Sequence, residues 1–207
     1  MFHDNDETLD EETLNLLTGK ARECLVHEAN RSPDPHVRAF SLYTLGKLKD
    51  PEFLPNLLSG IRDGDKSVRA QAASALAEMG DAAVVPLMDA LGDSDWKVRY
   101  RAAEALGRMN SGDRDVRGSL IRSLCDEKDH VRYMAAKSLG SVGGQEAVIH
   151  LAERLSDGNV FVRRIAAKSL GRIGGERAIS ALSQACSSEK DPAVRGAILK
   201  ALEGREK

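Results

Sequence analysis

Aromatic residues are scarce in this chain: one Trp, three Tyr and four Phe among 207 residues. A core built on large rings is thereby excluded, and the apolar positions fall mostly to Ala, Leu and Val. Cysteine is nearly absent. Cys24, Cys125 and Cys186 stand far apart with no Cys-x-x-Cys pair, which excludes a disulfide framework and a thiolate metal knuckle and fits reduced intracellular thiols. No stretch of 18 apolar residues occurs and no cationic-then-apolar leader opens the sequence, so neither a membrane span nor secretion is expected. Charge of one sign is also missing: the net charge is −2 although 30% of residues are charged, which argues against both disorder and bulk attraction to nucleic acid. A cytoplasmic protein is expected. Residues 1–8 read as an acidic, disordered lead-in, because Met1 to Glu12 carry Asp4, Asp6, Glu7, Asp10, Glu11 and Glu12 with no Lys or Arg.

What the chain has in abundance is repetition. Val-Arg recurs at Val37-Arg38, Val68-Arg69, Val98-Arg99, Val131-Arg132, Val162-Arg163 and Val194-Arg195, in steps of 31, 30, 33, 31 and 32 residues. A period of this size marks stacked units, because one such unit cannot bury its own apolar face. The boundaries fall at about 9–50, 51–80, 81–112, 113–144, 145–175 and 176–207, and no linker interrupts them, so residues 9–207 are expected to form one array.

Each unit reads as two helices. In the third, Ala82, Val84, Val85, Leu87, Met88 and Leu91 make the apolar face of a helix A, and Gly92-Asp93-Ser94 breaks it. Asp95 then stands as N-cap to a helix B whose stripe is Val98, Ala102, Ala103, Leu106 and Met109. Asp34, Asp65 and Asp191 hold the same cap place, and Asn159 substitutes for it. Pro35 and Pro192 follow two of these caps, where a missing amide is harmless. The fourth repeat departs, with Lys128 at the cap place and Asp129 one step late, after the longest step. If the stack has an irregular joint, this is its place. Gly46, Gly107, Gly140 and Gly171, followed by Gly80, Gly143-Gly144 or Gly174-Gly175, read as left-handed helix terminators and not as a phosphate loop.

The phrase Asp-x-x-Val-Arg-x-x-Ala-Ala-x-x-Leu-Gly, seen from Asp95 to Gly107 and with Asn from Asn159 to Gly171, resembles the HEAT-like repeats of phycobilisome lyase subunits. The resemblance spans about residues 10 to 205. It implies an all-α fold: a right-handed α-α superhelix (a HEAT/armadillo-like solenoid) of about six helical hairpins. It also implies a structural ladder in which Arg38, Arg69, Arg99, Arg132, Arg163 and Arg195 bond the caps Asp34, Asp65, Asp95, Asn159 and Asp191 of their own or the adjoining repeat. A pairing within one helix, as between Asp65 and Arg69, is also open at a spacing of four.

A deoxyhypusine hydroxylase needs several His-Glu pairs for two irons, and this chain has only His27-Glu28. His3, His36, His130 and His150 are scattered, and no nucleophile motif occurs, so no catalytic residue, metal or cofactor is assigned. Bilin attachment, alone or as a lyase subunit, remains the alternative activity because the repeat is shared with that group.

The surface reading follows from helix angles. Counting each Val as place zero, places 0, 4, 8 and 11, flanked by 5, face the core, and places 2, 6 and 10 face away. In HEAT-type solenoids helix B lines the concave side, so these outward places would form a wall. It carries Tyr43, Tyr100, Arg108, Tyr133, Lys137, Arg164, Lys168, Arg172 and Lys200, including every tyrosine of the chain. Trp96 either extends this surface or closes a gap between repeats. Residues 1–90 hold 9 Lys and Arg against 16 Asp and Glu, whereas residues 91–207 hold 21 against 16. The expected role is a non-catalytic, monomeric scaffold binding another protein that is acidic on its contact face. Nucleic-acid binding through the basic later half is a second alternative and the less expected one.

Overall fold

Alanine-rich stripes bounded by Asp before and Gly after dictate short helices, and a computed structural model, describing residues 19–204, contains twelve of them among those residues. They follow in the expected alternation of A and B helices: α1 (Gly19–Arg31) then α2 (Pro35–Leu48), α3 (Leu54–Gly60) then α4 (Lys66–Glu78), and α5 (Asp81–Ala90) then α6 (Trp96–Met109). Then come α7 (Arg114–Ser123) with α8 (Asp129–Val142), α9 (Glu146–Glu153) with α10 (Val160–Ile173), and α11 (Glu176–Ser188) with α12 (Pro192–Glu203). Short 3₁₀ turns at Pro51–Phe53 and Arg154–Ser156 adjoin α3 and α9. No strand occurs among the described residues. The acidic lead-in lies outside them.

The caps are made as their chemistry requires. Asp34 accepts from the His36 amide at 2.8 Å, Asp65 from Ser67 at 2.7 Å, Asp95 from Lys97 at 2.9 Å and Asp191 from Ala193 at 2.9 Å. Lys128 makes no such bond, and Asp129 accepts from the His130 amide instead.

The described chain divides into two units, residues 19–82 and 83–204. In the first, α2 packs on α1 and α4, and α4 on α3, around Leu42, Leu45, Leu57, Ile61, Val68 and Leu76, none of which is exposed. In the second, α6, α8, α10 and α12 pack consecutively, with α7, α9 and α11 each covering the B helix that follows it. Val98, Leu106, Val131, Leu139, Val162, Leu170, Val194 and Ile198 are their buried seam.

That seam is wider than the stripe read from the sequence. Place 7 is buried as well, as Ala75, Ala105, Ser138 and Ser169, because a B helix touches its neighbouring B helices as well as its own helix A. The Leu-Gly glycines belong to this contact, which corrects their reading as terminators. A Cβ on Gly107 would stand 2.5 Å from the Ser138 Cβ, and one on Gly140 2.8 Å from the Ser169 Cβ; Gly46 meets Ala75 and Gly171 meets Ala201 in the same way. Ser138 Oγ then donates to the Ala103 carbonyl at 2.8 Å, and Ser169 Oγ to Ala136 at 2.7 Å. Left-handed termination falls to Gly80, Gly143, Gly144, Gly174 and Gly175, and to Lys49 and Asn110.

An irregular joint at the fourth repeat is not found in the B-helix stack. The Gly107–Ser138 contact into α8 matches the Gly140–Ser169 contact out of it. The additional residues are absorbed before α7, where Asn110 turns left-handed and Asp113 caps the next helix.

Candidate functional site

Two sets of side chains carry charge in a repeating register, and the helices place them differently. The first is the ladder. In unit 1, Arg38 grips Asp63 with two bonds, at 2.8 and 2.9 Å, and its Nη1 donates to the Ser32 carbonyl. In unit 2, Arg99 holds Asp126 at 2.7 and 2.9 Å, Arg132 holds Asp157 at 2.8 and 2.9 Å, and Arg163 holds Glu189 at 2.8 and 3.2 Å. The acceptor is therefore not the cap, as the sequence reading had it, but the acid two residues before the cap position of the next repeat. The caps Asp34, Asp65, Asp95, Asn159 and Asp191 instead accept backbone amides at the start of their own helices. Each ladder acid also accepts a backbone N–H, as from Asp65 to Asp63, Asn159 to Asp157 and Asp191 to Glu189. Arg69 Nη1 bonds the Asp63 and Gly64 carbonyls, and Arg195 begins α12 as an exposed side chain.

The electrostatics follow the geometry. Burial pushes the Asp157 carboxyl up, but the Arg132 guanidinium and the Asn159 amide outweigh it and hold the group below its ordinary range. Asp63 and Asp126 behave alike, and Glu189 is held down first by Arg163. Arg38, Arg99, Arg132 and Arg163 are raised correspondingly by their side-chain bonds to these acids. These groups are locked to one another.

A signal for the true acceptors is present in the sequence. Asp63-x-Asp65, Asp126-x-Lys128, Asp157-x-Asn159 and Glu189-x-Asp191 repeat as regularly as the caps do. Asn159 adds a contact an Asp could not make, since its amide nitrogen donates to Asp129 of the preceding repeat.

The second set is the wall. In unit 1, Tyr43 is half-buried beneath Lys47, whose ammonium lies 5.2 Å from the ring centre and 3.1 Å from Glu78. In unit 2, Tyr100, Tyr133 and Arg164 stand half-buried at place 2 of successive B helices. Lys137, Lys168 and Lys200 stand exposed at place 6, and Arg108 and Arg172 exposed at place 10. Three depressions run between these helices. The first, of about 440 Å³, is lined by Tyr100, Asp129, His130, Tyr133, Asn159, Phe161 and Arg164. In the second Glu104 and Arg108 face Lys137, Ser141 and Arg172, and in the third Lys168 and Arg172 face Lys200.

Aromatic rings gather at the first depression. Residues 83–204 contain four, Trp96, Tyr100, Tyr133 and Phe161, and none is in the core; Phe161 is 56% exposed. Trp96 stacks against His130 with ring centres 4.9 Å apart, Arg164 covers Phe161 at 5.4 Å and Arg101 covers Tyr100 at 5.2 Å. Burial first, then Glu104, raises the Tyr100 phenol above its usual range, so it stays protonated and able to donate. Phe161, His130 and Asp129 were not singled out as wall residues, because they precede the Val and fall outside the angular rule. Among the described residues no three His, Cys, Asp or Glu side chains converge as a metal site would require, and no helix is long and apolar enough to cross a membrane.

Solved structures share this architecture. The chain is similar to the complex of CpcE and CpcF of phycocyanin lyase from Nostoc sp. PCC7120, at 22% identity and a TM-score of 0.67, covering 73% of this chain and 99% of that one. It is similar to human deoxyhypusine hydroxylase at 25% identity and a TM-score of 0.52, over 97% of this chain and 80% of that one. A designed armadillo repeat protein in complex with peptide (KR)4 matches at 20% identity and a TM-score of 0.55, over 87% and 97% of the two chains. A comparison with curated protein sequences finds no match. The family of HEAT repeats matches residues 23–91, 84–165 and 153–203, over a fold of stacked helical hairpins laced by a guanidinium–carboxylate ladder. This chain belongs to the HEAT-repeat family.

Proposed function

We propose that the protein is a non-catalytic HEAT-repeat scaffold that binds another protein through the helix-B face of residues 83–204. One observation carries this reading: every aromatic ring of that unit lies outside the core, and Tyr100, Tyr133 and Phe161 line one depression together with Arg164. Rings are the natural filling of a core, and each buries a large apolar area when covered. Ala and Leu fill the seam here, leaving the rings for contact. Half-buried tyrosine gives area at little loss of conformational freedom on binding. The designed armadillo neighbour, named as a complex with a peptide, shares the fold of helical hairpins. At 22% identity the likeness to the lyase complex carries the fold and not its reaction.

The test is a double change on the face. Tyr100→Ala with Lys168→Glu should leave helicity and melting nearly unchanged, since neither side chain belongs to the buried seam, and should abolish affinity capture of the partner that the wild-type protein retains. Unchanged capture would remove the helix-B face from consideration.

A further inference from the structure

Two sets of cations in unit 2 stand in contrast. The ladder arginines Arg99, Arg132 and Arg163 each hold a carboxylate. Lys137, Lys168 and Lys200 take the same place in three successive repeats, are exposed, and have no ion pair among the described residues. Their spacing is set by the stack. Helix axes in contact lie about 8–10 Å apart, and these B helices are in contact through their Gly–Ser and Gly–Ala pairs. The backbone positions of the three lysines, at one place of successive B helices, therefore repeat at about 8–10 Å across the stack.

That interval selects a conformation for what lies on them. A β-strand turns successive side chains to opposite faces, so residues three apart point away from one another. A polyproline II segment has three residues per turn at about 3.1 Å each, which returns a side chain to the same face every ~9 Å. Tyr133, one helical turn before Lys137, lines with Tyr100 and Phe161 the depression of about 440 Å³, the kind of aromatic-lined hollow that accepts an apolar side chain or a proline ring.

We propose that the occupant of this face is an acidic peptide segment in the polyproline II conformation. Its apolar residue seats among Tyr100, Tyr133 and Phe161, and Asp or Glu at every third position lies on Lys137, Lys168 and Lys200. This rests on the helix-B face being a protein-binding surface and adds the chemistry and shape of the ligand. Protein is favoured over nucleic acid because Asp129 lines the depression and Glu104 lines the next one. A phosphate at every nucleotide meets those carboxylates, whereas a peptide with one acid in three places neutral residues there.

The experiment uses the full chain and labelled peptides followed by fluorescence anisotropy. The probe is Phe-Pro-Pro followed by three Glu-Pro-Pro units, made in both chain directions. Its comparators are an isomer with the three glutamates contiguous, a version with Lys for Glu, and a short oligothymidylate. In one direction the spaced peptide should bind about tenfold or more tightly than the contiguous isomer, and the Lys version should not bind. Lys137→Glu with Lys200→Glu should remove that preference without moving the melting curve. Tyr133→Ala should weaken the Phe peptide but not its Phe→Ala form. Equal binding of the two isomers, binding of the Lys version, or tighter binding of oligothymidylate overturns the proposal. If no peptide binds while Tyr100→Ala with Lys168→Glu still abolishes capture, this ligand is wrong and the surface stands; if capture survives, the surface itself is wrong.

Discussion

Gly107 lies inside α6 against Ser138, whereas Gly196 lies inside α12 with nothing within 4 Å of where its Cβ would stand. Replacing a helical Gly by Ala ordinarily stabilises by about 1 kcal/mol, because Gly is the more flexible residue in the unfolded chain. Gly196→Ala should follow that rule. Gly107→Ala should reverse it, losing about 1–3 kcal/mol, since the new methyl meets the Ser138 Cβ at 2.5 Å and the Ser138 Cα at 2.9 Å. Urea denaturation of the two variants reads the opposite signs as opposite shifts in midpoint. Two shifts of the same sign would contradict the packing role given to the Leu-Gly glycines. This role was illegible in the sequence. A Gly near a helix end satisfies the terminator rule equally well, and only the neighbouring helix, about thirty residues away, distinguishes the two uses.

At the scale of the element, the caps were legible from local rules, whereas the ladder acceptors were marked only by an acid recurring two places before each cap position, with nothing local to say what it pairs with. An N-cap is local: Asp95 meets the Lys97 amide two residues on, so sequence alone suffices. Arg132 and Asp157 are 25 residues apart and meet only when two hairpins stack. Asp157 is 4% exposed and Arg132 17%, so removing one partner leaves a nearly buried charge behind. For a fully buried pair that loss is 3–5 kcal/mol; with one end partly hydrated, Arg132→Ala should lose about 2 kcal/mol in the same urea assay. Acid should act on all the rungs together. Asp63, Asp126, Asp157 and Glu189 are held below their ordinary range in the folded protein, so the unfolded chain binds more protons as the pH falls. Their stabilisation is complete above the ordinary carboxylate range near pH ~4 and is lost on descending through it. Melting temperature should therefore be flat from neutral pH to about 5 and then fall. Asp157→Asn should melt lower at neutral pH and descend less steeply in acid. An unchanged acid slope would sever the ladder from stability.

For the whole molecule, periodicity made the hairpins and their caps readable, and the helix angles placed Tyr100, Tyr133, Lys137 and Lys168 off the core, where they stand. The hollow that joins Tyr100 and Tyr133 to Phe161 was beyond that reading, because it is assembled from three repeats and from residues on both sides of the Val. The irregularity at Lys128 stays local: the helix begins there without a side-chain cap, and the seam passes through undisturbed. The functional account stands on the proposed use of one face of residues 83–204 and not the other. Its most direct measurement places a photo-crosslinking p-benzoylphenylalanine at Tyr133 in one variant and at Ile149 in a second. Ile149 is 54% exposed on α9, a helix A, and so reports the other face. With the captured partner present, illumination should give a covalent adduct from the Tyr133 position and none from the Ile149 position. Adducts from Ile149 alone, or from both positions equally, would contradict the account.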